Sequence, residues 1–161
     1  MIKILNFIII VLFISCNREP KKNKHIDIEK PDNTDVILNL PDNIYMNEII
    51  QDTVYYKSPL DTISLSKNDK RFIIFYTTID TIKYKSVKEI ESREHQMFIE
   101  KEKGIIPFSI EFDRPGDNYF TGIIEDQIIL DNFQDGKSRI ITHENVVTVR
   151  LWVKEPKKQT M

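Results

Sequence analysis

Alanine is absent from this 161-residue chain, glycine occurs four times, and cysteine and tryptophan once each. Alanine is the best helix former, so its absence weighs against a helical protein. Four glycines, none in a Gly-rich run, exclude a phosphate-cradling loop by motif. A single cysteine excludes an internal disulfide and a thiolate metal site. Charge of neither sign dominates, with 23 Lys+Arg against 25 Asp+Glu. There is no basic excess to neutralise phosphates, so nucleic acid is not an expected partner. What the chain has in plenty is isoleucine, 28 residues of it. Isoleucine is β-branched and suits strands. Because Ile, Lys and Asn are also what AT-rich codons supply, alternation patterns carry more weight below than counts.

The first sixteen residues hold one positive charge, Lys3, then the apolar run Ile4 to Ile14, then Ser15 and Cys16. A membrane-spanning helix needs about 20 apolar residues. This run has eleven, interrupted by Asn6. Charge, short apolar run and a small residue before cysteine is instead the order a secretory leader requires. Phe13-Ile14-Ser15-Cys16 resembles the lipobox of bacterial lipoproteins, with Phe13 where leucine is usual. The resemblance implies that residues 1–15 are a signal peptide and that Cys16 carries the lipid, palmitate-type acyl chains. Acyl chains contribute about 0.8 kcal/mol per buried methylene, so two or three hold a protein at a membrane almost permanently. Removing the leader leaves 22 basic against 25 acidic residues.

Residues 16–34 read as the lipidated cysteine and a tether, polar and charged with Pro20 and Pro31. From residue 35 to 155 short apolar runs alternate with turn chemistry, and 156–161 read as a disordered tail. Val36-Ile37-Leu38, Thr53 to Tyr56, Thr62 to Leu65 and Phe72 to Ile79 each have the form of a strand. In Ile106 to Asp113 the even positions Ile106, Phe108, Ile110 and Phe112 are apolar and face one side. Burying that face contributes roughly 6–12 kcal/mol as an upper bound. Pro107 has no N–H, which places this strand at an edge or makes the strand begin there. Phe120, Gly122, Ile124, Ile128 and Leu130 share a side, as do Val147, Val149, Leu151 and Val153, and the polar stretch around Asp135-Gly136 between the two sets reads as a hairpin. Trp152 falls opposite the aliphatic row. Ser86 to Lys103 reads two ways. Ser86-Val87-Lys88-Glu89 has the form of a capping box and Gly104 could end a helix, whereas Ile82, Tyr84 and Ile90 continue the parity of the preceding strand. Strands are favoured there.

Seven to eight short strands over about 120 residues predict an all-β sandwich. The stretch Phe112-Asp113-Arg114-Pro115-Gly116-Asp117-Asn118-Tyr119-Phe120 resembles the entry to the penultimate strand of immunoglobulin-like and PKD-like bacterial domains. In those domains a Pro-Gly turn precedes a tyrosine that locks the corner. The resemblance implies an immunoglobulin-like β-sandwich with Gly116 and Tyr119 as its structural corner.

Catalytic chemistry finds little footing. His25, His95 and His143 have no second histidine or cysteine within four residues, so no histidine-based metal site is expected from them. None of the serines is flanked by glycine, as a nucleophile elbow requires. Glu125 and Asp126 are adjacent carboxylates, but adjacent strand residues point to opposite faces and cannot converge on one substrate. The acidic turn Asp126, Asp131, Asn132 and Asp135 has oxygen ligands of the kind calcium takes, without the spacing of a twelve-residue calcium loop.

The expectation is therefore a non-enzymatic, lipid-anchored envelope protein without cofactor, whose sandwich binds or supports an envelope protein or glycan. The alternatives are an inhibitor or immunity-type lipoprotein, which predicts an exposed aromatic or acidic patch, and a hydrolytic enzyme with a loop-built site. As an Ile-, Lys- and Asn-rich lipoprotein with one small β domain, the chain is similar to lipoproteins of the Bacteroidetes. That resemblance implies an outer-membrane home. In that group surface export follows an acidic cluster after the lipidated cysteine, and the basic stretch Asn17 to Lys22 favours the periplasmic face instead.

Overall fold

Two largely antiparallel sheets face each other across a core of aliphatic and aromatic side chains in the computed structural model, which describes residues 28–29, 35–134 and 136–156. Cys16, the leader and most of the tether lie outside these residues. In chain order the strands are β1 (Ile28–Glu29), β2 (Asp35–Ile37), β3 (Ile44–Tyr45), β4 (Ile49–Lys57), β5 (Lys70–Asp80), β6 (Gln96–Ile99), β7 (Ile105–Glu111), β8 (Gly116–Gln134) and β9 (Lys137–Lys154). One helix, α1 (Val87–Glu91), lies between β5 and β6.

The larger sheet has the order β1-β9-β8-β5-β6, with β3 running parallel to β9. The smaller has the order β2-β4-β7. This is immunoglobulin-like topology. β2, β4 and β7 stand as strands A, B and E, and β9, β8, β5 and β6 as G, F, C and C′. The first strand is split, β2 pairing with β4 before the chain crosses so that β3 pairs with β9. Ile28–Glu29, expected within the tether, adds to β9 as β1.

The alternation read from the sequence sets the core. Ile106, Phe108, Ile110 and Phe112 are buried, and so are Phe120, Ile124 and Ile128 across from them. At the centre Phe75 meets Phe108 edge-on at 5.5 Å and Phe120 at 6.3 Å, with Phe98 closing the group. Gly122 makes room for Phe75. A Cβ there would lie 2.4 Å from the Phe75 ring.

Three expectations change. Thr62 to Leu65 is not a strand, because Ser58 caps a short 3-10 turn at Pro59–Thr62, its hydroxyl accepting the Leu60 N–H at 2.9 Å, and proline at the first position favours that turn. Ser86 to Lys103 holds both a helix and a strand. Ser86 caps α1 by accepting the Glu89 N–H, while the Glu89 carboxylate accepts the Lys85 N–H at 2.8 Å. Five residues are too few for an autonomous helix, so α1 depends on packing Val87 and Ile90 against Tyr76, Tyr84 and Ile123. The hairpin is also tighter than its polar stretch suggests, since pairing resumes at Gln134 and Lys137 after an irregularity that follows Leu130.

Pro107 lies within β7, which is an edge strand as its missing N–H requires. The Ile105 N–H and C=O both bond to the 101–102 turn, away from β4. Two residues on, Pro107 turns its nitrogen to the same open side.

Replacing Gly122 by alanine is expected to destabilise the fold by about 1–3 kcal/mol through overpacking against Phe75. Urea denaturation checks this, with a lower midpoint at unchanged slope.

Candidate functional site

Three places in the sandwich gather chemistry-bearing side chains: the end closed by the 3-10 turn, the outer face of the larger sheet, and the corner where β8 begins.

At the first, Asp126 sits on the inward parity of β8 and is fully buried. Arg71, on the inward parity of β5, forks onto it with Nε at 2.9 Å and Nη2 at 2.6 Å. The Ser58 hydroxyl donates to the same carboxylate. The third guanidinium nitrogen reaches Asp61 at 2.7 Å, and Lys103 stands 3.6 Å from Asp61. The hydrogen bonds from Arg71 to Asp126 hold the guanidinium charged, raising its pKa further. Both Asp126 oxygens are engaged, Oδ1 by Arg71 and Oδ2 by Arg71 and Ser58. The cluster closes an end of the core.

Glu125, one residue away, points to the opposite face, as strand geometry requires. It accepts the Tyr76 hydroxyl at 3.2 Å. The acidic turn is divided in the same way. Asp126 is inside, and Asp131 lies on the hairpin, accepting from Ser138 at 3.3 Å while its own N–H donates to Asp69 at 2.8 Å. The Asn132 side chain and Asp135 lie outside the described residues. Among the described residues no three His, Cys, Asp or Glu are grouped to hold a metal ion. His95 places Nδ1 2.9 Å from the Arg93 carbonyl, and His143 stands opposite Asp126 in the ladder.

The outer face of the larger sheet is built by ladder register. Ile140 lies opposite Ile129, Thr142 opposite Gln127 and then Phe72, and Glu144 opposite Glu125, Ile74 and Ile99. The next row carries Val146, Ile123, Tyr76 and Met97, and there α1 covers the centre. Below α1 the face is open. Ile99 is 72% exposed, Met97 60% and Ile140 59%, with Phe72 beside them at 46%. Carboxylates border this apolar group. Burial first, and then Glu125, push the Tyr76 phenol up to about 12, with Glu91 and Glu144 adding to the same field. Apolar side chains bordered by acids suit a partner surface that is apolar with basic neighbours.

A cleft of about 500 Å³ opens beside β7, lined by Phe98, Pro107 and Phe108 among others. Asp52 is the one ionisable group lining it. Its Oδ1 accepts the Thr53 N–H at 2.6 Å, and its Oδ2 has no hydrogen-bond partner among the described residues.

At the corner, Gly116 has φ of +97°, a conformation suited to glycine. Tyr119 stands on the outer face, its ring 5.5 Å from the Lys83 ammonium and 5.9 Å from the Arg150 guanidinium. The side chain that bonds the corner backbone is Asn118. Fully buried on the parity of Phe120, it donates to the carbonyls of Arg114 at 3.3 Å and Gly116 at 3.1 Å and accepts from Arg114 Nε at 3.0 Å. Parity was the available signal, since a corner lock must lie on the inward side with Phe120. Arg71 and Asp126 carried no motif; an arginine and an aspartate on inward positions of two strands were their only trace.

Compared with family models, curated proteins and solved structures, the chain matches none.

Arg71→Met leaves Asp126 buried without its cation and is expected to cost about 3–5 kcal/mol, most of it recovered when Asp126→Leu is added; thermal denaturation of both variants checks this. For Tyr76, the folded state favours the neutral phenol. Its contribution to stability is complete below the ordinary value of 10.0 and is lost as pH rises towards about 12. Denaturant midpoints across alkaline pH, compared with Tyr76→Phe, read that loss.

Proposed function

We propose that this chain is a lipid-anchored cell-envelope protein whose non-catalytic sandwich binds another envelope protein through the open outer face of the β9-β8-β5-β6 sheet. The observation that carries the reading is the group Phe72, Met97, Ile99 and Ile140 on one side of one sheet, bordered by Glu125 and Glu144. Exposed apolar clusters with a polar rim mark interaction surfaces on soluble domains. Aliphatic side chains outnumber aromatic ones here, which suits a protein surface better than a sugar ring.

The anchor supplies the mechanism. Holding the domain in two dimensions raises its effective concentration near partners at the same membrane. The lipobox at Phe13 to Cys16 supports an outer-membrane address, and the basic residues after Cys16 support the periplasmic side. An inhibitor or immunity-type protein would use the same face, and the apolar and acidic character of that face favours it as the second reading. The two readings part on the partner, a structural component in one case and a stoichiometric enzyme in the other.

Cys16→Ala is expected to move the protein from the membrane fraction to the soluble fraction; retention on the membrane overturns the anchor. A photo-crosslinker at position 99 is expected to trap one defined partner in intact cells, while one at Ser109 on the smaller sheet traps none. Phe72→Asp should weaken that partner's binding by more than about tenfold. Equal trapping from both positions rejects the assigned face.

A further inference from the structure

The corner end of the sandwich differs chemically from the rest of its surface. Trp152, two residues past Arg150 in the ladder, is 66% exposed, and Ile82, two residues past the end of β5 at Asp80 in the same Asp80-Tyr119-Arg150 row, is 50% exposed. Beside them the Tyr119 ring carries Lys83 and Arg150. Two of the carboxylates at this end are neutralised in place, Asp117 by Arg150 at 2.8 Å and Asp80 by Arg114 at 3.4 Å. Indole, aliphatic and cation-capped phenol side chains are what the interfacial layer of a bilayer accepts, apolar body inward and polar tip in the headgroups.

The path of the chain leads to the same end. Ile28 stands opposite Val149 and Glu29 opposite Thr148 in an antiparallel pair. The N-terminal end of β1 therefore faces the Arg150 side, which is the corner side. Cys16 precedes Ile28 by twelve residues, and these span at most about 40 Å in any conformation. From Arg150 back to Ile140 the sheet itself runs about 34 Å. Resting the far end on the bilayer would use nearly all of that reach, whereas resting the corner end uses little.

We propose that the corner end sits in the headgroup layer, with Trp152 and Ile82 entering it shallowly and the Phe72–Ile99–Ile140 face held away for the partner. This rests on the acylation of Cys16 and goes beyond it by assigning the surface that meets the lipid. A membrane-tethered domain that tumbled freely would present its partner face only part of the time, whereas one seated on its corner presents that face steadily.

Trp152 is the chain's only tryptophan, so its fluorescence reports the contact directly. The acylated full chain is reconstituted into vesicles of phosphatidylethanolamine and phosphatidylglycerol containing brominated phosphatidylcholine. Trp152 emission is expected to shift to the blue and lose most of its intensity. In the variant carrying Trp152→Phe and Phe72→Trp, the reporter lies about 30 Å away along the same face, and emission is expected to keep its intensity. Vesicle-bound protein whose Trp152 emission stays water-like and unquenched overturns the seating while leaving the anchor intact, and assigns the cluster to a protein contact. Equal quenching of both reporters also overturns it. Protein that fails to bind vesicles, with an unacylated terminus by mass spectrometry, removes the anchor and the seating together.

Discussion

The antiparallel register between β8 and β9 is the constraint on which the rest depends. Phe120, Ile124 and Ile128 point inward because their neighbours point out, and the ladder holds them opposite Val149, Asn145 and Ile141. The same pleat sends Asp126 to the interior and Glu125 to the surface. It also puts Asn118 beneath the corner and Tyr119 above it. A slip of one residue would exchange every one of these pairs, exposing the core and burying the acids. The hairpin thus decides both what holds the domain together and what it offers outside.

Burying Arg71 with Asp126 does not by itself make the protein more stable, since desolvating two charges offsets much of their attraction. What the pair does is direct. A strand whose inward positions include one aspartate fits one register against a strand whose inward positions include one arginine. Ser58 adds a third contact from the smaller sheet's side, so the charge cluster also ties the 3-10 turn to the core.

Much of this was legible in the sequence because alternation is a local signal. The even positions of 106–112 and the row ending at Val153 are buried as read, and Trp152 stands opposite its aliphatic neighbours. Legibility failed where an outcome depended on a distant partner. Thr62 to Leu65 has strand composition, yet a cap at Ser58 and a proline after it settle the backbone. Ser86 to Lys103 could be read as helix or strand because its first part packs on Ile123 and its second pairs with β5, and neither contact is visible along the chain. Tyr119 matched a motif by residue type, whereas the corner needed a side chain of the other parity. The open face of the larger sheet could not be read at all, because the exposure of Ile99 and Ile140 follows from where α1 stops.

The smaller sheet ends at β7, and the open side of that strand has a proline nitrogen where a hydrogen-bond donor would otherwise stand. An unfinished sheet invites any extended chain to complete it, including the same strand of a neighbouring molecule. With the donor missing at the third residue of a seven-residue strand, such a neighbour would find its ladder broken near its start. The edge of β7 thus carries in its own backbone a deterrent to further strand addition that owes nothing to surface charge.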